Sequence, residues 1–124
     1  MLFRSNTISL RDRDAVHDDI ANVKAAAVHH GAHHVFMSAA SPGVVSLFFH
    51  NAYYKTHEEY LFAIAEAMQY EYEAIAGAGI ILQLDCPDLG MGRHVQYADL
   101  PIEEFRKKAR LQDRKSTRLN SSHT

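Results

Sequence analysis

The chain has 124 residues, 47% of them hydrophobic and 23% charged, with a formal net charge of −2; these values fit one ordinary globular domain. No stretch is apolar enough to cross a bilayer, the start lacks the order of a signal peptide, and the slightly acidic balance argues against an electrostatic footprint for nucleic acid. The single cysteine, Cys86, excludes an internal disulfide framework, so the expected setting is the reducing cytoplasm, with no membrane or nucleic-acid partner and no protein partner inferable.

The first element expected is a helix over about residues 12–30. Val16, Ile20, Val23 and Ala27 fall on one stripe at helical spacing. Asp12, Asp14, Asp18 and Asp19 crowd its N-terminal half, where the helix dipole favours negative charge, and Gly31 supplies a stop. Next, Val35, Phe36 and Met37 form a short apolar core between Gly31 and Pro42-Gly43, which suits a buried strand. The aromatic-rich connection that follows is irregular and leaves room for a short helical turn.

Thr56 opens the clearest signal. The run Thr-His-Glu-Glu reads as a capping box, with the Thr56 hydroxyl bonding the Glu59 amide and Glu59 reaching back. Leu61, Ile64, Met68, Tyr72 and Ile75 then mark one face of a long helix that Gly77 and Gly79 end. "IILQLD" is the second strand. A Gly-rich loop should follow it, and Asp99 and Pro101 should open a third helix, acidic early and basic late.

Apolar strands that alternate with helices imply an α/β fold with parallel pairing. Two strands close nothing, and a (β/α)8 barrel needs about 250 residues, so about two of its βα units would be present. A doubly wound sheet stays open on pattern alone. In either architecture sites form at the carboxyl ends of the strands. Ser38, Ser41 and Pro42-Gly43 stand at one such end, and Asp85 to Asp88 at the other. Asp85 is therefore either a turn cap accepting backbone N–H groups or a ligand contact, because an ionised carboxylate is costly to bury unpaired.

The composition changes after Gln112. In residues 113–124 the only apolar side chain is Leu119, which suits a disordered polar terminus. The run Asp-Arg-Lys-Ser-Thr-Arg-Leu-Asn-Ser-Ser-His also resembles the in-frame translation of a short-read sequencing adapter. On that resemblance residues 1–112 are the natural portion, a fragment, and residues 113–124 an artefactual tail. Setting aside Arg114, Lys115 and Arg118 against Asp113 takes the charge from −2 to −4.

Over about residues 20–111 the sequence resembles the catalytic barrel of cobalamin-independent methionine synthases, and more closely their single-barrel, methionine-synthase-like relatives. The runs "FMSAASPGVVSLFFHNAYY" and "THEEYLFAIAEAMQYEYEAIAGAGIILQLDCPDLGMGRH" carry the likeness. Its most specific part is a helix, Ala-Gly, an apolar strand and then Asp-x-Pro. The resemblance implies a (β/α)8 barrel of which this is the third and fourth βα region. It also implies a zinc-dependent methyl transfer from a folate-type donor to a small-molecule thiol such as homocysteine, as in methionine biosynthesis. Zinc would convert the thiol to a thiolate at neutral pH. Asp85 stands where the family's aspartate binds the substrate amino group; Ser41 and Cys86 are the other substrate-side candidates. Asn51, Tyr53 and Tyr54 would shape the donor side.

Two departures narrow this reading. Family members usually carry Glu after that aspartate, where this chain has Cys86, and the chain has no Trp for the stacking position. A related barrel that alkylates another thiol, such as coenzyme M with an epoxide, is thus an alternative. So are a uroporphyrinogen-decarboxylase-like barrel and a non-catalytic α/β module whose Asp-Cys-Pro-Asp turn is only a cap. The family's zinc ligands, a His-x-Cys, a Glu and a later Cys, would lie beyond residue 112, so no metal ligand is assigned here and the fragment alone should be inactive. His29, His30, His33 and His34 surround a helix end at the wrong, amino-terminal side of a strand. Arg93 and His94 are loop residues within reach of a mouth, and more simply surface residues.

Overall fold

The computed structural model describes residues 6–120, with side chains through residue 114; residues 1–5 and 121–124, including the end of the polar terminus, lie outside the described residues. The elements run α1 (Asp14–His30), β1 (Phe36–Ala40), α2 (Pro42–Phe48), α3 (His57–Gly77), β2 (Ile81–Asp85), α4 (Asp88–Val95) and α5 (Ile102–Asn120). β1 and β2 pair in parallel, Phe36 opposite Ile81 through Ala40 opposite Asp85. The expected α/β order with parallel pairing is therefore present.

Local chemistry explains the boundaries. Asp12 Oδ1 accepts from the Asp14 and Ala15 amides at 2.8 and 3.4 Å, which starts α1. Gly31, at φ 65°, closes it in the left-handed region that glycine enters without strain. At the head of α3 the Thr56 hydroxyl accepts from the Glu59 amide at 3.1 Å. The Glu59 carboxylate reaches one residue further back than a capping box requires, to the Lys55 amide at 3.1 Å.

The core sits on one face of the sheet. Val16 and Ile20 of α1, Tyr72 and Ile75 of α3, Ala39 and Ile80 form a buried cluster, with Met37, Leu82 and Leu84 packed against it. Each such aliphatic side chain contributes roughly 1.5–3 kcal/mol by leaving water. α3 also packs on α2 and α5, and α2 on α4; Val44, Leu47, Leu61, Ile64 and Phe105 are among the buried side chains of these helices.

Among the described residues nothing packs on the opposite face. Phe36 and Ile81 are each 60% exposed, and Ser38, Gln83 and Asp85 beside them are exposed too. The apolar runs that suit buried strands are thus covered on one side only. The period-two alternation sends Phe36 and Ile81 to the side without helices.

Two further differences concern the connections. The room for a helical turn after Ser41 is filled by α2. The Gly-rich stretch expected as a loop after Cys86 folds into α4, started by Pro87 in helical geometry, whose carbonyl accepts from the Gly90 and Met91 amides. Gly92 is buried, and a Cβ there would sit 3.7 Å from the Phe105 ring. Packing against α5 outweighs the weak helix propensity of the two glycines. α5 itself continues to Asn120, so the composition change after Gln112 does not coincide with a helix end. Among the described residues, no helix is long and apolar enough to cross a membrane.

Candidate functional site

The carboxyl ends of β1 and β2 lie side by side, and the turns leaving them are joined through Ser41. This residue is 1% exposed and is hydrogen-bonded through both main chain and side chain; its carbonyl accepts from the Val45 amide at 3.2 Å. Its amide donates to the Asp85 carbonyl at 3.0 Å. Its hydroxyl accepts from the Val44 amide at 3.1 Å, capping α2, and donates to Asp88 Oδ1 at 2.9 Å. One side chain thus caps a helix and ties the two post-strand turns together.

Asp88 is the buried carboxylate of the region, 1% exposed. It lies so close to the first turn of α2 that a Cβ on Gly43 would fall 1.9 Å from Asp88 Oδ2 and 2.5 Å from its Cγ. Only glycine permits that approach. Burial pushes the Asp88 carboxyl above the usual carboxylate range, the Ser41 hydroxyl and its own amide hold it back, and Asp113 and Asp85 push it further up.

Asp85 has the contrary surroundings. It ends β2 opposite Ala40 and is exposed, on the face that no helix covers. Its main-chain carbonyl is engaged by Ser41, which leaves the carboxylate at the rim of the open face, suited to a cationic group from solvent.

Cys86, half-buried, follows it. Its thiol is pushed up first by burial and then by Asp88, Asp113 and Asp85, with the Ser41 hydroxyl opposing them. A thiol in that acidic setting stays protonated at neutral pH, so it is a poor nucleophile and a poor metal ligand unaided. Beneath the β1 end, the buried Tyr72 hydroxyl donates to the Ala40 carbonyl. Burial, then Glu71 and Cys86, keep that phenol protonated.

The structure brings Ser41, Asp85 and Cys86 together. Asn51, Tyr53 and Tyr54 belong to a different place. Asn51 Oδ1 accepts from the Tyr53 and Tyr54 amides at 3.1 and 2.8 Å, so its side chain builds its own turn. Tyr54 accepts from the Ile8 amide at 2.8 Å, and its ring stands 5.9 Å from Tyr60. With Asn6, Ile8 and His50 these residues line a cavity of about 200 Å³, which does not include Ser41, Asp85 or Cys86. Tyr53 is half exposed and stands edge to face with Tyr54, ring centres 5.2 Å apart.

Arg93 donates to the Tyr97 and Ala98 carbonyls at 2.8 and 3.0 Å, closing the end of α4. His94 is exposed. His29 and His30 contact each other edge to face at 4.8 Å, and all four histidines near Gly31 are exposed. Among the described residues no three His, Cys, Asp or Glu side chains converge as a metal-holding group.

Asp88 is the residue whose part the sequence did not disclose. The Ser-Pro-Gly after one strand and the Asp-x-Pro-Asp around the end of the other are both visible, but nothing in either says that one meets the other. Compared with family models, curated proteins and solved structures, the chain matches none of them.

Proposed function

We propose that this chain forms two βα units of a methionine-synthase-like (β/α)8 barrel, in which Asp85 anchors the ammonium group of an amino-acid thiol for S-methylation. The observation that carries this reading is the exposed Asp85 carboxylate at the carboxyl end of a parallel strand, on the face without helices. Parallel sheets ordinarily have both faces covered, and in a closed barrel that open face would line the interior. The layers Phe36–Ile81, Ser38–Gln83 and Ala40–Asp85 would then grade from apolar to acidic toward the mouth.

In the reaction proposed for the whole barrel, the substrate thiol loses its proton and a sulfur–methyl bond forms. The nitrogen–methyl bond of a folate-type donor breaks, and that nitrogen takes up a proton. Zinc would favour the thiolate, and its ligands would have to come from outside the described residues. The part of residues 6–120 is to bind and orient: a charge-assisted bond from Asp85 fixes the amine. The unit by itself would be catalytically inactive.

Amide chemical shifts of the chain titrated with homocysteine, against the same thiol lacking the amino group, test the anchor. Homocysteine should perturb Asp85 and Cys86 about tenfold more tightly, as one charge-assisted bond allows, and Asp85→Asn should abolish the preference. Equal affinity for both thiols would remove the anchor. A parent sequence with a His-x-Cys strand following these units favours methyl transfer to a thiol. Its absence favours a decarboxylase-like barrel or a non-catalytic module.

A further inference from the structure

We infer that the Ser41–Asp88 pair is the positioning element of this mouth, setting where Asp85 and Cys86 stand although neither Ser41 nor Asp88 can itself touch a ligand. The inference rests on reading the carboxyl ends of β1 and β2 as the binding site. Both side chains are 1% exposed, so contact with substrate is closed to them. Ser41 nonetheless holds the Asp85 main chain through its amide and the Asp88 carboxylate through its hydroxyl. Asp85 and Cys86 are thereby fixed at both ends: the Ser41 amide fastens one side and the bonded Asp88, two residues beyond Cys86, fastens the other.

The arrangement is more than a packing contact. A neutral apolar pair of similar volume would fill the space, whereas a buried carboxylate is retained against its desolvation cost. What the carboxylate adds is a charge beside Cys86 and an acceptor that competes with the thiol for the single Ser41 hydrogen. The groups whose charge or hydrogen bonding acts on the thiol are Ser41 at the head of α2, Tyr72 on α3, Asp85 at the end of β2, Asp88 at the start of α4 and Asp113 on α5. All but Ser41 and Tyr72 are acidic, and Ser41 alone opposes them.

The test reads Cys86 directly and needs no substrate. The rate of Cys86 alkylation by iodoacetamide is measured across pH for the 124-residue chain and for variants that keep its native circular dichroism. Asp88→Asn keeps the acceptor and removes the charge, so it should raise the rate near neutral pH about threefold by favouring the thiolate. Ser41→Ala removes the opposing hydroxyl and should lower it by a similar factor. Ser41→Thr, which keeps the hydroxyl, should restore the native profile, and it replaces Ser41→Ala in the comparison if the alanine variant does not fold.

Opposite shifts, or a native Ser41→Thr profile beside a raised Asp88→Asn one, support positioning. Profiles that do not move, or that move in the same direction, would show a merely structural strut and overturn the inference. The amine anchor is judged separately by the homocysteine titration, so either result can fail while the other stands.

Discussion

The two faces of the β1–β2 sheet come from the same ten residues, yet one is a core and the other is bare. On the helix side, Ala39 and its neighbours lie under Tyr72 and Ile75. On the other, Phe36 and Ile81 stand opposite each other with most of their surface in water. The difference teaches where the energy of this unit resides. α1 and α3 hold it from one side, and among the described residues no element packs on the other.

The largest expected effect breaks that comparison directly. Ile75, 0% exposed, should cost about 2–5 kcal/mol on truncation to alanine, as large-to-small core changes do. Phe36→Ala should cost less than about 0.5 kcal/mol if the open face is unpartnered. Urea titrations of both variants decide it. A large loss for Phe36→Ala would mean that the open face is covered in solution.

The next effect concerns the two turns. Gly43→Ala places a methyl group on Asp88 Oδ2, and overpacking of this kind costs about 1–3 kcal/mol. Adding Asp88→Ala should recover part of that loss, so the double variant should be less destabilised than the sum of the two singles. Additive losses would separate Gly43 from Asp88.

The smallest effect is the pH dependence. A carboxyl whose folded pKa is raised binds its proton more tightly in the native state. It stabilises most at low pH, and the contribution is lost as pH rises from the ordinary carboxylate value through the raised folded one. The stability of the Asp88→Asn variant relative to the parent should therefore improve as pH climbs through that window. A relative stability that falls with rising pH would place the folded pKa below the ordinary value.

Much of this was legible beforehand, element by element. The Val16–Ile20 stripe, the Thr56 cap and the Leu61 to Ile75 face are periodic patterns whose partners lie within a turn or two, and they appear where the spacing puts them. α4 was not legible, because Gly90 and Gly92 lower local helix propensity and the contact with Phe105 that offsets them comes from thirteen residues beyond Gly92. At the site, the pairing of Ser41, Asp85 and Cys86 followed from parallel strands. The separation of Asn51 and Tyr54 from them did not, since it depends on where residues 6–8 fold back.

The sequence by itself determined the order of helices and strands, their parallel pairing and the acidic turn after the second strand. Those depend on periodicity, caps and short-range sterics, all written in neighbouring residues. Only the tertiary structure decided which carboxylate is buried and which is presented. Asp85 and Asp88 are chemically alike and three positions apart, and their surroundings differ because Gly43 lets α2 close over one of them. Burial is a property of what packs against a residue, and for Asp88 that contact comes from forty-five positions away.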